Sequence, residues 1–466
     1  MSSPQIVWLR RDLRLADQPA FHAAAEAGPV IPVYILDDDR PGTRKMGGAH
    51  RWWLHHSLRS LADDLEEMGS RLILRSGDCV NILVDMAGKA GASAVHGLRH
   101  YEHWWRTAET ELADALPDGC ELILHDGNYL LPPGEVVTGG GTPYKIYTPF
   151  AKATLEKFPP RDELPAPDEL KTPDQWPPSD ELDGFALLPT QPDWSGGFGE
   201  FWQVGESAAH DRLHAFEDSV ADYDDDRNLP SQDGSSRLSP HLHWGEISPV
   251  QVWHAYKGRR GDGWTTFEKE LIWRDFTQEV IAQYPKYPEV SYREKYAEFP
   301  WRYPDEDDEA KSDLTAWQKG RTGYPIVDAG MRQMWNIGWM HNRVRMITAS
   351  FLIKHLLIDW RHGERWFWDC LVDGDYANNG VNWQWVSGTG VDSSMFSRIM
   401  APLSQSEKFD AAGYIREWVP ELADLSDADI HDPSDDVRPD DYPAKLIAHD
   451  AARERALDAY AKVKGS

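Results

Sequence analysis

Two neighbouring stretches decide how the C-terminal half of this chain is interpreted: GWMHNRVRMITASFL (338–352) and DGDYANNGVNWQW (373–385). The first predicts a helix, because its apolar residues recur at helical spacing and neither glycine nor proline interrupts it after the opening residue. Arg343 and Arg345 lie among those apolar residues, where an unpaired charge would be costly to bury. We therefore expect a partner for these charges nearby.

The second stretch can supply that partner. Asp373 and Asp375 lie on a loop turned by Gly374, and adjacent amides and two indoles follow. A planar heteroaromatic cofactor would use all of these groups, because the carboxylates can accept from an imide N–H and pair with Arg345 while an amide faces a ring nitrogen. The alternative is a loop capped by its own Asp and Asn side chains between two core helices. The arginine helix and the nearby tryptophans favour the cofactor.

The charge balance of the 466 residues restricts the possible partners. The chain has 48 basic and 77 acidic residues and a net charge of −29, which is the wrong overall sign for a nucleic-acid-binding protein. Either the protein binds no nucleic acid, or the acidity is a solvated surface around a locally basic site. The acidic runs at 224–226 and 305–309 lie outside the stretches quoted above. We therefore favour the second interpretation and a halophilic protein adapted to a very salty cytoplasm.

Other sequence features concern the compartment and the metal content. Cys79, Cys120 and Cys370 are widely spaced and form neither a disulfide framework nor a metal-binding pattern. The chain has no H-E-x-x-H motif, and no segment approaches the length of apolar sequence that a membrane span needs. We expect a soluble cytoplasmic protein, a monomer, with no protein-ligated metal and no membrane partner.

The length predicts two or three domains. Strands alternate with helices over the first 130 residues, which predicts an α/β domain with a doubly wound parallel sheet. The predicted strands are 5–9, 30–36, 72–74, 94–97 and 121–124, and the predicted helices are 51–68, 80–89 and 101–116. Residues 131–205 are rich in Pro, Asp, Glu and Gly and predict an extended linker. Helical periodicity then dominates, which predicts an all-helical domain over 206–466.

Several long motifs carry a resemblance to a known family. The stretches at 338–352 and 356–385, together with TGYPIVDAGMRQ (322–333), closely resemble the photolyase/cryptochrome flavoproteins, most nearly the class I cyclobutane pyrimidine dimer photolyases. The resemblance extends from WLRRDLRLADQPA (8–20) to EWVPEL (417–422), so it covers almost the whole chain. It implies FAD bound in the helical domain.

The resemblance also implies a function. A class I photolyase is a light-driven lyase that repairs pyrimidine dimers in damaged DNA by electron transfer from excited reduced FAD to a flipped-out dimer. The main alternative is a cryptochrome-type blue-light photoreceptor, against which stand Asn379, where plant-type cryptochromes have Asp, and the short segment after Pro420. A (6-4) photolyase would have histidines in place of Asn342 and Met346. A flavin enzyme that works in the dark lacks support, because no nicotinamide fingerprint is present.

Flavin contacts are expected at two places. Ser239 followed by Pro240 predicts a helix start with a hydroxyl N-cap and proline at the first helical position. Such a terminus suits a pyrophosphate, although an ordinary capped helix is the preferred interpretation without the resemblance. The resemblance implies flavin contacts at Tyr223, Ser235, Ser236, Arg237, Leu238, Ser239, Arg274, Arg345, Asp373, Gly374, Asp375 and Asn379.

Glu270 and Trp273 are one helical turn apart and can receive a base by hydrogen bonding and stacking. A buried acid beside a core indole is the alternative. The resemblance implies a dimer pocket that contains both residues and the remaining catalytic positions, Asn342, Met346 and Asn379. It implies DNA contacts at Arg227, Trp273, Arg274, Asn342, Arg343, Trp385, Arg398, Gln405 and Lys408.

Trp301, Trp360 and Trp383 match the tryptophan chain through which the family reduces oxidised flavin, although many of the 22 tryptophans must simply belong to the core. A second, light-harvesting chromophore is expected in the N-terminal domain. Folate-using relatives carry an Asn-Glu pair where this chain has Trp104 and Trp105. The departure favours 8-hydroxy-deazaflavin in a groove near Arg51 over methenyltetrahydrofolate.

Overall fold

A five-stranded parallel sheet forms the first part of the computed structural model, which describes residues 2–393, 396 and 399–464. The strands are β1 (Gln5–Leu9), β2 (Val30–Leu36), β3 (Ile73–Ser76), β4 (Ala94–Leu98) and β5 (Glu121–His125), in the order β3-β2-β1-β4-β5. All residues of β1, β2 and β4 are buried, as expected for parallel strands that are covered on both faces. The predicted parallel α/β fold is confirmed.

Helices cover the two faces of the sheet: α1 (Pro19–Ala27), α2 (Gly48–Glu67), α3 (Cys79–Ala90) and α4 (His103–Ala115). Side chains alternate along β1, so Val7 and Leu9 join the core under α1 and α2, whereas Ile6 and Trp8 join the core under α3 and α4. The sheet is therefore doubly wound. Helix α1 was not predicted from the sequence, because its short alanine-rich run shows little periodicity.

The segment 131–205 is less extended than predicted. It contains α5 (Tyr147–Leu155), α6 (Gly196–Phe201) and a short 3₁₀ helix at Leu182–Phe185. Its irregular parts run along the sheet, where Lys171 O accepts from Val30 N at 2.8 Å and Asp180 N donates to Leu74 O at 2.7 Å. The boundaries proposed at 130 and 205 stay predictions.

The rest of the described chain is helical, as predicted, and its helices pack around the cavity described below. They are α7 (Glu206–Ala215), α8 (Tyr223–Asp226), α9 (Ser239–Trp244), α10 (Pro249–Tyr256), α11 (Asp262–Gln283), α12 (Asp308–Gln318), α13 (Pro325–Ile337), α14 (Asn342–Ser350), α15 (Trp360–Cys370), α16 (Tyr376–Ser387), α17 (Pro402–Lys408), α18 (Ala412–Trp418) and α19 (His449–Lys464). Within the residues that the structure describes, none of the helices combines the length and the apolar character needed to cross a membrane.

The two stretches that decided the interpretation differ in detail from the prediction. The helix expected from Gly338 begins at Asn342, because Gly338 has a φ of +67° and ends α13, and the His341 side chain accepts from Arg343 N to cap α14. The amides and indoles that follow Asp375 lie on α16, a helix that the sequence analysis did not specify. Asp375 accepts from Asn378 N at 2.7 Å, so it is the cap that starts this helix.

Candidate active site

A cavity of about 300 Å³ lies among α11, α14, α15 and α16. This volume is at the lower end of the range for small-molecule sites. The residues that line it are Arg227, Glu270, Trp273, Asn342, Arg345, Met346, Ala349, Phe367, Leu371, Asp373, Gly374, Asn378, Asn379, Asn382, Trp383, Trp385 and Val386. The structure thus brings together predicted residues that lie more than a hundred positions apart in the sequence.

Helical spacing explains how these side chains reach the cavity. Asn342 and Met346 are four residues apart on α14, and Asn382 and Trp383 lie three and four residues after Asn379 on α16. Residues at such intervals share one face of a helix. The caps that start α14 and α16 therefore determine which side chains face the cavity.

A polar wall, by which we mean Arg345, Asp373, Gly374 and Asn379, forms one part of the lining. Arg345 Nη2 donates to Asp373 Oδ2 at 2.9 Å, and Arg345 Nε donates to Met340 O at 2.7 Å. Asp373 Oδ1 is buried and has no protein partner. Buried carboxylate oxygens are almost always hydrogen-bonded, so this atom is available for a donor from water or from a bound group.

The amide of Asn379 belongs to a chain of buried polar groups. Its Nδ2 donates to Glu364 Oε1 and to Glu364 O, both at 2.9 Å. The other carboxylate oxygen of Glu364 accepts from Arg44 Nη1 at 2.6 Å. Burial raises the pKa of Glu364, and the charge and hydrogen bond of Arg44 oppose that rise.

An indole wall, by which we mean Glu270, Trp273, Asn342, Met346 and Trp385, forms another part of the lining. The Glu270 carboxylate pairs with the guanidinium of Arg227. Trp273 stacks on Tyr147, with ring centroids 3.5 Å apart and ring planes 6° apart. Only one face of the Trp273 indole can therefore receive a flat ligand.

Comparisons with known proteins agree along the whole chain. Residues 5–168 match the family described as DNA photolyase, and residues 267–462 match the FAD binding domain of DNA photolyase. A deoxyribodipyrimidine photo-lyase of Agrobacterium fabrum is 45% identical over 99% of this chain and 98% of that enzyme. The chain belongs to the DNA photolyase family.

Two further relatives show the breadth of the photolyase family. The crystal structure of a bacterial class III photolyase from Agrobacterium tumefaciens matches with a TM-score of 0.93 and 44% identity, covering 100% of this chain and 98% of that one. Cryptochrome-2 of Arabidopsis thaliana is 33% identical over 93% of this chain and 73% of its own length. These matches confirm the predicted photo-lyase activity and the predicted FAD cofactor.

The lining of the cavity fits the flavin of a photolyase. The unpartnered Asp373 Oδ1 can accept from an imide N–H, and Arg345 holds the other oxygen of this carboxylate. The two amide hydrogens of Asn379 are used by Glu364, which leaves Oδ1 as the atom that the amide offers to the cavity. No cluster of His, Cys, Asp and Glu within the described part of the chain could hold a metal ion.

Two predicted flavin contacts lie outside the cavity. Arg274 donates to Asn128 O and, at 2.9 Å, to Leu242 O, and its guanidinium lies 5.0 Å from the Tyr129 ring centroid. Asp375 serves as the cap of α16, as the alternative interpretation of the loop had it. Main-chain groups already satisfy both side chains in this structure, and the two expected flavin contacts stay predictions.

The predicted pyrophosphate residues also lie outside the 300 Å³ cavity. Ser239 is the first residue of α9 and not its cap, which is Leu238 and makes no side-chain hydrogen bond. Ser239 Oγ accepts from Trp339 Nε1 at 3.3 Å, and Ser236 Oγ accepts from Leu238 N at 3.4 Å. Arg237 pairs with Asp233 at 3.0 Å, Tyr223 packs against Phe216 and Phe267, and Ser235 is half-buried. The hydroxyl cap was a wrong prediction.

The three predicted relay tryptophans differ in position. Trp383 lines the cavity and packs closely on Gly363, where a Cβ atom would lie 2.2 Å from its ring. Trp360 is fully buried at the start of α15, and its Nε1 donates to Ser291 Oγ at 3.3 Å. Trp301 is only 6% exposed and packs on Phe299, with ring centroids 4.2 Å apart.

Two of the predicted DNA contacts, Arg343 and Lys408, lie at the ring of Phe409. The Arg343 guanidinium lies 4.6 Å and the Lys408 Nζ 5.1 Å from the centroid of that ring. Lys408 is exposed and Gln405 half-buried on α17. Arg398 lies outside the described residues. Arg343 follows Asn342 directly, so this group lies beside the indole wall.

The groove expected near Arg51 is small. Arg51 pairs with Asp38, and the adjacent cavity has a volume of about 60 Å³, with Trp104, Trp105 and His50 in its walls. This volume is far below that of usual ligand sites, and the deazaflavin expected there stays a prediction. A larger open groove of about 1260 Å³ lies between α4 and α11.

Sequence reasoning missed Tyr147 and Arg44. Tyr147 lies in TPYKIYTPFAK (142–152), which looked like part of a Pro-rich linker, and its OH donates to Lys269 O at 2.7 Å. Arg44 lies in a short Gly-containing turn with no periodicity. Their partners are 126 and 320 positions away, and only the fold brings them together.

Proposed function

We propose that this photolyase repairs cyclobutane pyrimidine dimers in DNA with light. The observation that carries the proposal is one cavity that has both an unpartnered carboxylate oxygen on Asp373 and an open indole face on Trp273. The first suits the imide of a flavin, and the second suits a flat pyrimidine ring. A reaction between the two ligands requires both in one enclosed space.

The polar wall would hold the flavin. Asp373 and Arg345 would bind its imide edge, and Asn379 would present an acceptor oxygen to a ring N–H. When bound, reduced FAD absorbs near-visible light and supplies the single electron that splits the dimer. Trp383 closes this part of the cavity and, with Trp360 and Trp301, remains our proposal for the path of electrons from the protein.

The indole wall would hold the dimer. The cavity is enclosed by helices, so the two damaged bases must leave the stack of the DNA helix to enter it. Trp273 and Trp385 would stack against them and exclude water, and Asn342 would donate to a base carbonyl. Glu270 would accept from a base N–H once it turns from Arg227, which is then free for a phosphate.

The surface around Phe409 would bind the DNA backbone. Arg343 and Lys408 place two positive charges at the Phe409 ring, although the chain as a whole carries a net charge of −29. Arg274 is not part of this surface, because its guanidinium is held by Asn128 O and Leu242 O. We infer a short basic strip within an acidic surface, in a protein that works at high salt.

The class of photolyase is a separate proposal. The motifs resembled class I enzymes, but the Agrobacterium tumefaciens structure, which is 44% identical over the full chain, is that of a class III photolyase. That match supports class III. For a second chromophore, the groove between α4 and α11 has the room that the cavity near Arg51 lacks.

An absorption spectrum and a repair assay test the proposal. The purified protein should show the bands of a flavin, and in light it should restore dimer-bearing DNA to an undamaged form. A cryptochrome-type photoreceptor would show the same bands without repair. A colourless holoprotein, or repair that proceeds equally in the dark, would contradict the proposal.

A further inference from the structure

Arg44 is a buried cation that the N-terminal part of the chain contributes to the helical part. It ends the short 3₁₀ helix Gly42–Arg44 and is 4% exposed. Its Nη1 donates to Glu364 Oε2 at 2.6 Å, and its Nη2 donates to Pro288 O at 2.8 Å. The guanidinium also lies 5.5 Å from the centroid of the Tyr376 ring. These contacts fix its position on three sides.

The contacts of Glu364 determine its charge. This residue is fully buried, and burial alone would favour the protonated form. Both of its carboxylate oxygens nevertheless accept hydrogen bonds, Oε2 from Arg44 and Oε1 from Asn379 Nδ2. The charge and the hydrogen bond of Arg44 favour the ionised form, so we take Glu364 as the anionic partner of a buried ion pair.

The charge of Glu364 contributes to the orientation of the Asn379 amide, together with the main-chain Glu364 O, which also accepts from Asn379 Nδ2 at 2.9 Å. An ionised carboxylate only accepts hydrogen bonds, so it can bind the NH₂ group of Asn379 and not its oxygen. A protonated carboxyl group could instead donate to Asn379 Oδ1, and the amide would then turn its NH₂ group towards the cavity. Removal of Arg44 leaves a buried unpaired carboxylate, which neutralises by taking up a proton.

We propose that Arg44 is a positioning residue: through Glu364 it holds the Asn379 amide with its oxygen towards the cavity. The site then favours a bound ring that carries an N–H over one that offers only a lone pair. A reduced flavin carries such an N–H at its central ring, and an oxidised flavin has a bare nitrogen there. The inference rests on the proposed function in one respect, namely that the bound ring is a flavin.

The test compares holoproteins in which Arg44, Glu364 or both are substituted. A reductive titration in the dark gives the ratio of the affinities for reduced and oxidised flavin. We expect Arg44→Ala to lower this ratio about tenfold, as for one hydrogen bond, which is about 30 mV for a two-electron couple. Arg44→Lys keeps the charge and should recover most of the ratio. Glu364→Gln should lower it like Arg44→Ala, and the double variant should lower it no further.

Arg161→Ala is the matched control, because Arg161 also pairs with a buried carboxylate, that of Asp17 at 2.8 Å, and neither residue lines the cavity. It should lower stability and leave the ratio unchanged. An unchanged ratio in Arg44→Ala, or an equal loss in Arg161→Ala, overturns the inference. Should Arg44→Ala fail to fold, the isosteric Glu364→Gln decides, and a wild-type ratio in that variant overturns it.

The outcome for the wild-type protein separates this inference from the proposed function. A wild-type protein that binds no flavin or repairs no dimers removes the proposed function, and the inference falls with it. A wild-type protein that binds flavin and repairs dimers, with variants that keep its affinity ratio, removes the role of Arg44 alone.

Discussion

The polar wall and the indole wall of the cavity satisfy their polar groups by different means. In the polar wall, Arg345 and Asn379 are held by buried partners that belong to the fold, such as Glu364. In the indole wall, Glu270 is paired with Arg227 and is one-third exposed. A ligand can therefore compete with Arg227 for the Glu270 carboxylate. The first wall is therefore built as a fixed site, and the second is built to exchange partners.

This difference between the two walls shows how one cavity can serve two ligands that stay bound for different lengths of time. A cofactor that stays bound benefits from preorganised partners, because the cost of ordering them is met during folding. A substrate that comes and goes needs a surface whose own groups are satisfied when it is absent. Substitutions in each wall test this difference.

Trp383→Phe should have the largest effect. That effect should be confined to the polar side of the cavity. Phenylalanine keeps the packing on Gly363, but it is a far poorer electron donor than an indole. We expect light-driven reduction of the oxidised holoprotein to be lost and repair by pre-reduced enzyme to be nearly unchanged. Flavin absorbance under illumination and a repair assay measure the two. Equal loss of both would contradict a relay role for Trp383.

His341→Asn tests the cap that aligns both walls, because α14 carries Arg345 as well as Asn342 and Met346. Burial, followed by the charges of Arg343 and Arg345, lowers the pKa of His341 to about 4, below its ordinary 6.5. The unfolded chain thus binds more protons between these values, and stability should fall as pH drops from 6.5 to 4. Asparagine also caps helices but does not titrate.

The stabilities of the wild type and of His341→Asn should therefore depend differently on pH. The wild type should lose about 3 kcal/mol relative to the variant between pH 6.5 and pH 4, and nothing above pH 6.5. Chemical denaturation at several pH values measures this difference. Parallel pH profiles of the two proteins would show that His341 is not the titrating group.

Asp373→Asn should weaken the polar wall without touching the indole wall. The substitution removes the charge that pairs with Arg345 and one acceptor for the flavin imide, a loss of about 2 kcal/mol or roughly 30-fold in FAD affinity. Asp369→Asn is the control, because Asp369 accepts from Gly48 N at 2.8 Å and does not line the cavity. Equilibrium dialysis of FAD distinguishes the two variants, and equal losses would argue against the assigned role.

The sequence allowed more of the sheet than of the cavity to be predicted. The strand at 30–36 matches β2 at both ends, because a buried parallel strand is a continuous apolar run. The polar wall could be anticipated because Asp373, Gly374 and Asn379 lie close together in the sequence. The pairs Trp273–Tyr147 and Arg44–Glu364 could not, since each joins segments whose proximity is determined only by tertiary packing.

Individual differences between the expected and the observed positions have local causes. The sequence 338–352 looked like one helix because Gly338 can occur inside a helical pattern, and only its positive φ shows that it ends α13. Arg274 was placed with the flavin because its neighbours Glu270 and Trp273 do reach the cavity. One residue beyond Trp273, the helix surface has turned by about 100°, and Arg274 meets main-chain carbonyls instead.

Trp273→Ala should weaken the indole wall and leave the polar wall intact. Loss of one stacking surface should reduce the affinity for dimer-bearing DNA about tenfold. Tyr147→Leu should have a smaller effect, because it removes the ring behind Trp273 while the indole remains. Tyr147→Phe keeps that ring and serves as the matched control. Binding titrations in the dark measure the losses, and the flavin spectrum should be the same in all three variants.

Lys408→Ala should have the smallest effect and should differ from the others in kind. A lysine that pairs with a phosphate contributes through the release of counterions, so its loss weakens binding of damaged and undamaged DNA alike. The slope of log K against log salt should become shallower by about 0.9, whereas Trp273→Ala should leave that slope unchanged. At molar salt the Debye length is about 3 Å, and the wild type and Lys408→Ala should then bind DNA almost equally. A slope that is unaltered in Lys408→Ala would place the DNA backbone elsewhere, and a steep slope in the wild type would show that phosphates, and not the indole wall, carry most of the affinity.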